Sequence, residues 1–310
     1  IQGLLQLTCQ EALAKKITFV RDAETESGIR ALMTPLLQSA GLENDTVNIY
    51  IVNDATLNAF VAGGPNIFLH TGLLATSGSA SQLIGVLAHE IGHISGGHLS
   101  KLAAAQKQAS NEALAGTILG GEASILLGNP SAGKAILSGG QHVGIRNLLR
   151  FSRTQELSAD RAAIRYLDAT KQSAQGMLNF MDLLNNQDLL SVSNQDPYVR
   201  THPPNQQRIN FLQNYIKKSR YSNVPSNKHF QEIHGRIKAK ISAFIQPPHQ
   251  TLREFPASDE SVNARYARTI ANHRIPNQKA ALSLIDGLLA ELPNNPYFHE
   301  FKGQIFQNKE

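Results

Sequence analysis

Cysteine is all but missing from this chain of 310 residues: Cys9 stands alone, so no intramolecular disulfide can form and the fold must rest on its core. Long apolar runs are missing too. No stretch reaches about 20 apolar residues, which leaves no evident membrane span. The nearest approach, Ala113 to Leu137, is broken by Glu122, Pro130 and Lys134. It reads as a helical hairpin turning at Gly128-Asn129-Pro130-Ser131, placed to pack near a cleft or to touch a membrane surface peripherally. Charge of one sign is scarce as well. The formal net charge of +5 is spread out, its densest cluster being Lys217-Lys218-Ser219-Arg220, with neither a basic stripe nor interleaved aromatics. A nucleic-acid partner is thereby disfavoured, and only a loose attraction to an anionic surface is left. What remains, 41% hydrophobic and 17% charged residues, is the composition of a globular protein long enough for a full core and a second module.

What is present is concentrated in His89-Glu90-Ile91-Gly92-His93, an H-E-x-x-H pattern inside a run, Ser81 to Leu99, that looks helical. Residues four apart lie one above the other on a helix, so His89 and His93 can present two imidazoles to one zinc ion. Glu90 is turned about 100° from His89, which lets its carboxylate meet a metal-bound water without becoming a ligand. The bland alternative is a surface helix with two solvated histidines. Against it, Leu83, Ile84, Val86, Leu87, Ile91 and Ile94 surround the motif with apolar residues, so the helix is expected to be buried. Gly92 beside a metal histidine is easier to explain by close approach of another element than by helix stability.

A catalytic zinc takes three protein ligands. His98 falls half a revolution from His89 on a continuous helix and is set aside. The metzincin extension would need histidine at 99, where Leu99 stands. A later polar-faced helix, Thr154 to Ala163, offers Glu156 as the third ligand and Asp160, one turn on, to orient a ligand histidine through its second ring nitrogen. Taken alone, the same spacing also fits a solvated charged turn. Asn58 to Leu74 reads as a hairpin about Gly63-Gly64-Pro65-Asn66, whose first strand could hold an extended peptide by its edge. His202, before Pro203 and Pro204, is by its context alone a turn residue as readily as a catalytic one.

HEIGH followed by Glu156-Leu157-Ser158-Ala159-Asp160 resembles the zinc metallopeptidase family of the CAAX prenyl protease and HtpX, whose second motif is E-x-x-A-D. Asn58 to Leu74 resembles that family's cleft-edge hairpin, and Thr201-His202-Pro203-Pro204 with Arg208-Ile209 resembles its T-H-P-x-x-x-x-R-I segment. The resemblance spans about Asp22 to Phe211 and departs in the turn, where Pro65 follows the glycines instead of preceding them. It implies one zinc per chain on His89, His93 and Glu156, with Glu90 as general base and Asp160 in support. Asn58, Ala59 and Phe60 would form the substrate edge. His202 would lie near the metal, as a donor to the oxyanion or as an occupant of the open position. Arg208 would anchor its loop to an acidic partner not identifiable from sequence.

Gly3 to Cys9 followed by Ala12-Leu13-Ala14 resembles the tail of a signal peptide, so residues 1–14 are expected to be its remnant. The peptidase domain is expected over 15–221 and a linker with a connecting helix over 222–261. From Val262, Ala281, Pro293 and Gly303 fall on the spacing of a tetratricopeptide repeat, which assigns 262–310 to an incomplete array. The expected fold is therefore α+β, mostly α: a zincin-type peptidase domain with a small sheet and edge hairpin, then tetratricopeptide-type helices. This tail makes the resemblance closest to the soluble periplasmic BepA-like branch. It implies a periplasmic location and quality control of unfolded or stalled outer-membrane proteins and their assembly machinery. A chaperone or assembly scaffold in which proteolysis is secondary is the rival reading, although an intact Glu90 argues for retained catalysis. A hydrolase of non-peptide substrates is a third, weakened by the edge hairpin.

Overall fold

A computed structural model of the chain describes residues 18–105, 107–108, 152–185 and 196–307. Residues 1–14 with Cys9, expected to be a signal-peptide remnant, and the hairpin read at 113–137 lie outside the described residues.

Strand β1 (Phe19–Val20), β2 (Asn48–Val52), β3 (Ala59–Val61) and β4 (Asn66–His70) form one sheet in the order β1-β2-β4-β3. The β2–β4 pair is parallel and the other two pairs are antiparallel. Alternation divides its faces: Ile51, Ala59, Ile67 and Leu69 are buried in the core, while Phe19, Tyr50, Phe68 and Phe60 stand on the other side in a row of touching rings. Strand β3 is an edge, joined to β4 through Gly63 and Gly64, whose φ values of 62° and 106° L side chains rarely adopt. Asn66 Nδ2 closes the turn by donating to the Ala62 and Gly63 carbonyls.

Helix α1 (Ala23–Ser39) is capped by Asp22 and buries Ile29, Leu32, Met33, Leu36 and Leu37. From β4 the chain passes through α2 (Thr71–Thr76) into α3 (Ala80–Ser95), which Ser79 caps. Helix α3 is buried on nearly every side, so its neighbours must come close. A Cβ on Gly92 would lie 2.7 Å from the Ala159 carbonyl of α5 (152–169). One on Gly85 would lie 2.9 Å from Met177 Cα of α6 (Gln175–Asn185).

The expected helix through Leu99 is interrupted. Gly97 takes φ 62°, the chain turns, and a new helix α4 is described over 98–105. Helix α7 (Pro197–Thr201) and α8 (Gln206–Ile216) complete the part of the fold that surrounds α3.

Helix α9 (Lys228–Ile245), with α10 (Pro248–Glu254), occupies most of the stretch read as linker and connecting helix. It serves two cores: Ile237 and Ile241 pack into the first, Ala239 and Ala243 into a second built with α11 (Val262–Arg274), α12 (Gln278–Glu291) and α13 (Pro296–Gln307). Buried polar contacts also bind the two together. Lys240 Nζ lies 2.6 Å from Asp22 and 3.1 Å from Glu24 at the start of α1, and the Tyr266 hydroxyl donates to Glu24 at 3.0 Å. The C-terminal helices therefore lean on the first core through α9 and the N-terminus of α1.

Candidate active site

Helix α3 brings His89, Glu90 and His93 to its buried C-terminal half, and α5, held close by Gly92, brings Glu156 opposite them. His89 Nε2 lies 3.0 Å from His93 Nε2 and 3.2 Å from a Glu156 oxygen, and His93 Nε2 lies 3.3 Å from the other. Such spacing is close to the roughly 3.3 Å that separates two ligands each about 2.0–2.1 Å from one tetrahedral ion. His202 at the end of α7 joins the same group of candidate metal donors. Its Nδ1 lies 3.2 Å from both Glu156 oxygens, and its Nε2 lies 3.6 Å from Glu90 Oε1.

The supporting contacts run outward from these donors. His89 Nδ1 sits 2.9 Å from Asp160 Oδ1. Arg208, on the first turn of α8, grips Asp160 with two donors, Nε at 2.6 Å and Nη2 at 2.8 Å. Its Nη1 lies 3.0 Å from Glu156 and donates to the carbonyls of His202 and Pro203, so one guanidinium ties the His202 loop to both acids of α5. Asp160 is thus the acidic partner of Arg208 that could not be named from sequence.

Electrostatics suits a cation. Buried Glu90, Glu156 and Asp160 face a single guanidinium, an excess of negative charge in a low-dielectric setting. Burial alone would raise the Glu156 carboxyl, but His202 and the other two histidines hold it well below its ordinary value. Burial likewise would raise Asp160, and Arg208 holds it low. Burial pushes the His89 imidazole down, while Asp160 and Glu156 more than reverse this and bring it to about 9, so a metal ion must displace a proton there. Both oxygens of Glu90, fully buried, and His202 Nε2 have no hydrogen-bond partner among the described residues. Two imidazoles, a carboxylate and unpartnered polar atoms beside them form a donor set that fits zinc.

The family model described as Peptidase family M48 matches residues 23–216, most of the chain. The chain belongs to peptidase family M48. All the residues of the site lie within the matched segment, and helices α9 to α13 lie beyond it. Among curated proteins the chain is similar to the beta-barrel assembly-enhancing proteases of Yersinia pestis, 26% identical over 280 residues, and of Escherichia coli O157:H7, 28% identical over 282. A putative beta-barrel assembly-enhancing protease of Vibrio cholerae is 25% identical over 272 residues. These alignments cover 85–89% of this chain but 54–57% of the relatives, so the chain spans little more than half their length. No helix among the described residues is long and apolar enough to cross a membrane.

In this M48 domain Phe60 is the one residue of the predicted substrate edge, Asn58, Ala59 and Phe60, that lines a cleft. Phe60 and Val61 of β3 and His98, Leu99 and Leu102 of α4 line a cavity of about 290 Å³ that also takes in Ser152, Gln155 and Thr201 and reaches Glu90, His93, Glu156 and His202. Asn58 and Ala59 are buried and present no side chain to it. Two neighbours of the site escaped the sequence reading. Because the chain turns at Gly97, His98 does not point away from the metal face: its Nδ1 lies 3.0 Å from His93 Nδ1. Tyr198 packs its ring 4.6 Å from that of His202, and burial, then the Glu90 charge, keep its hydroxyl protonated well above the ordinary range. The Gly96-Gly97 pair was a signal for the first; the second had none.

Proposed function

We propose that the chain is a zinc-dependent endopeptidase that acts on unfolded or misassembled envelope proteins, outer-membrane β-barrel proteins foremost, in the periplasm. The observation that carries this is the convergence of His89, His93 and Glu156 donor atoms at 3.0–3.3 Å beside the unpartnered carboxylate of Glu90. Bound zinc supplies a Lewis acid that acidifies water and polarises a carbonyl. Glu90 takes a proton from the attacking water and returns it to the leaving amine. Asp160 and Arg208 hold His89 and the His202 loop in position. The edge of β3 fixes an extended chain by backbone hydrogen bonds, which suits clients without structure. The names of the relatives support the client class, and that class supports the periplasm.

The test is metal analysis of the full chain with His89→Ala, His93→Ala and Glu156→Ala, beside digestion of an unfolded protein with and without a chelator. One zinc per wild-type chain, lost in each variant, and chelator-sensitive cutting are expected. Full zinc retention in Glu156→Ala would overturn its role as ligand.

A second reading, a chaperone or assembly scaffold, draws on the helices beyond the family match. We take α11 to α13 as the start of a tetratricopeptide-type array. Between α9, α13 and the start of α1 lies a cavity of about 400 Å³ lined by Lys240, Phe244, Tyr297 and Phe301, where a client segment could be held. Cells whose only copy carries Glu90→Gln discriminate the two. Normal outer-membrane assembly there would make the scaffold the main function.

A further inference from the structure

Gly96, Gly97 and His98 stand outside the group of candidate metal donors, yet the chain is built around them where α3 ends. Gly96 caps α3, and a Cβ there would lie 2.3 Å from His98 Nε2, so the His98 ring takes the space that any other residue would fill. Gly97, at φ 62°, reverses the chain through a conformation that L side chains rarely adopt. His98 then opens α4 and is buried, with its Nδ1 3.0 Å from His93 Nδ1 and the two rings 4.9 Å apart at 84°. Two glycines thus serve one contact between imidazoles.

An imidazole that gives Nε2 to a metal carries its proton on Nδ1, and the acceptor of that proton sets the tautomer and the ring angle. His93 turns Nε2 toward His89 and Glu156, at 3.0 and 3.3 Å, so its Nδ1–H points out of the donor group. The side chain is only 11% exposed, and the N–H needs an acceptor. We propose that His98 is the positioning residue of His93, its neutral Nδ1 accepting the His93 Nδ1–H while its own proton stays on Nε2. The inference rests on the zinc reading above and adds to it a residue that gives nothing to the metal. Asp160 stands behind His89 in the same way, 2.9 Å from its Nδ1. The two backings differ in charge. Glu90, Glu156 and Asp160 already face one guanidinium, and a carboxylate behind His93 would add a fourth buried negative charge. A neutral imidazole supplies the acceptor without that charge. It also draws less on the Nδ1 proton than a carboxylate does, so His93 is the more weakly donating of the two ligand histidines.

The experiment measures the zinc affinity of the full chain by competition with a chromogenic zinc chelator, beside melting curves of the metal-free protein that check folding. His98→Ala is expected to weaken zinc binding about 10- to 100-fold, because the His93 ring loses what fixes it. His98→Gln keeps a neutral acceptor within reach and should restore the affinity to within about threefold of wild type. Gly96→Ala touches no donor, but its Cβ drives the His98 ring off His93, so it should weaken zinc as His98→Ala does. In the double variant the two losses should not add, since no ring is left for the Cβ to displace. Leu102→Ala, which lines the same cleft without touching His93, should leave the affinity unchanged. Wild-type affinity in His98→Ala, or no rescue by Gln in a chain that folds, overturns the positioning role and leaves the zinc reading intact. Additive losses in the double variant overturn it too, because Gly96 would then act without His98. A wild-type chain that binds no zinc overturns both readings.

Discussion

The core around α3 buries His89, Glu90, Glu156, Asp160 and Arg208 side by side, whereas the core of α9, α11, α12 and α13 is built of Ala239, Ile270, Ile285, Phe298 and Phe301, and the buried charges of those helices, Lys240 and Arg268, lie apart and are held by Asp22 and Glu24 and by the carbonyls of Pro256 and Asp259. Buried charges weaken a fold unless paired, and apolar contacts do not carry that penalty. In the first core each charge is hydrogen-bonded or closely paired except one: Asp160 holds Arg208, Glu156 touches three histidines and Arg208, and Glu90 has no hydrogen bond among the described residues, only His202 Nε2 at 3.6 Å. Stability does not explain Glu90. The difference between the regions teaches which substitutions should report on chemistry and which on folding.

The sharpest separation, and the largest effect, is expected at Glu90. Glu90→Gln keeps the shape of the side chain and removes a buried charge that no hydrogen bond holds, so zinc should stay and thermal stability should hold or rise. Proteolysis should fall about 10²- to 10⁴-fold. Steady-state rates on an unfolded protein, beside a melting curve and zinc content, check all three. Loss of rate together with a large loss of stability would mean that Glu90 is structural after all.

That separation was partly legible in the sequence. HEIGH in an apolar frame gave a buried helix because four-residue spacing and apolar flanks act locally, and Gly92 announced the close approach that α5 makes. Helix content, the small sheet and the hairpin turn followed from similar local signals. What did not follow depended on the path of the chain. A Gly-Gly pair is compatible with a weak helix or with a reversal, and only packing chose the reversal that places His98 on His93. Arg208 and Asp160 are 48 residues apart, and no pattern pairs an arginine with one acid among many. Helix α9 read as a connector because a helix between prolines shows nothing of being wanted by two cores at once.

The opposite result is expected in the second core. Phe298 is fully buried, its ring 4.9 Å from that of Tyr266, with Arg236 over its face. Phe298→Ala should cost about 3–5 kcal/mol in the C-terminal helices, read from denaturant unfolding, while zinc content is unchanged. Zinc loss in this variant would show that the two cores fold as one unit, and would weaken the comparison.

At the junction the comparison becomes one of pH. His234 of α9 is buried against the Ser77 hydroxyl, 2.8 Å from its Nε2, with Lys238 also reaching the Ser77 carbonyl. Burial first, then the Lys238 charge, lowers this imidazole to about 4. The unfolded chain takes up this proton near pH 6.5 and the folded chain resists it to about 4. This contribution is therefore complete above about pH 6.5, falls with acidification, and is gone below about 4, a loss of roughly 3 kcal/mol at most. His98, brought to about 4 by burial and then by His93 and Lys101, adds a slope of the same sign. The difference between wild type and His234→Gln, measured as unfolding free energy at pH 7, 5.5 and 4, isolates the junction. Equal slopes in the two proteins would mean that α9 docks without regard to the charge on His234.

The smallest effect is expected at His202, which shares features of both kinds of buried residue. Its Nδ1 is held by Glu156 and its Nε2 has no hydrogen bond and lies 3.6 Å from Glu90, so half of the ring is anchored and half is free. A ring that belongs to the donor group can occupy the position where water must be activated, and a ring that only donates to the oxyanion lowers the barrier. The two roles move the rate in opposite directions. Because His202 falls within the cluster of candidate ligands, His202→Ala is expected to keep zinc and to raise cleavage, by roughly tenfold if nine molecules in ten are blocked at rest. A fall of about 10²- to 10³-fold at unchanged zinc would instead make it the oxyanion donor. If rate, zinc content and autolysis all stay the same, His202 is a residue that Arg208 and the two prolines hold in a turn, and the unpartnered nitrogen has no bearing on the chemistry.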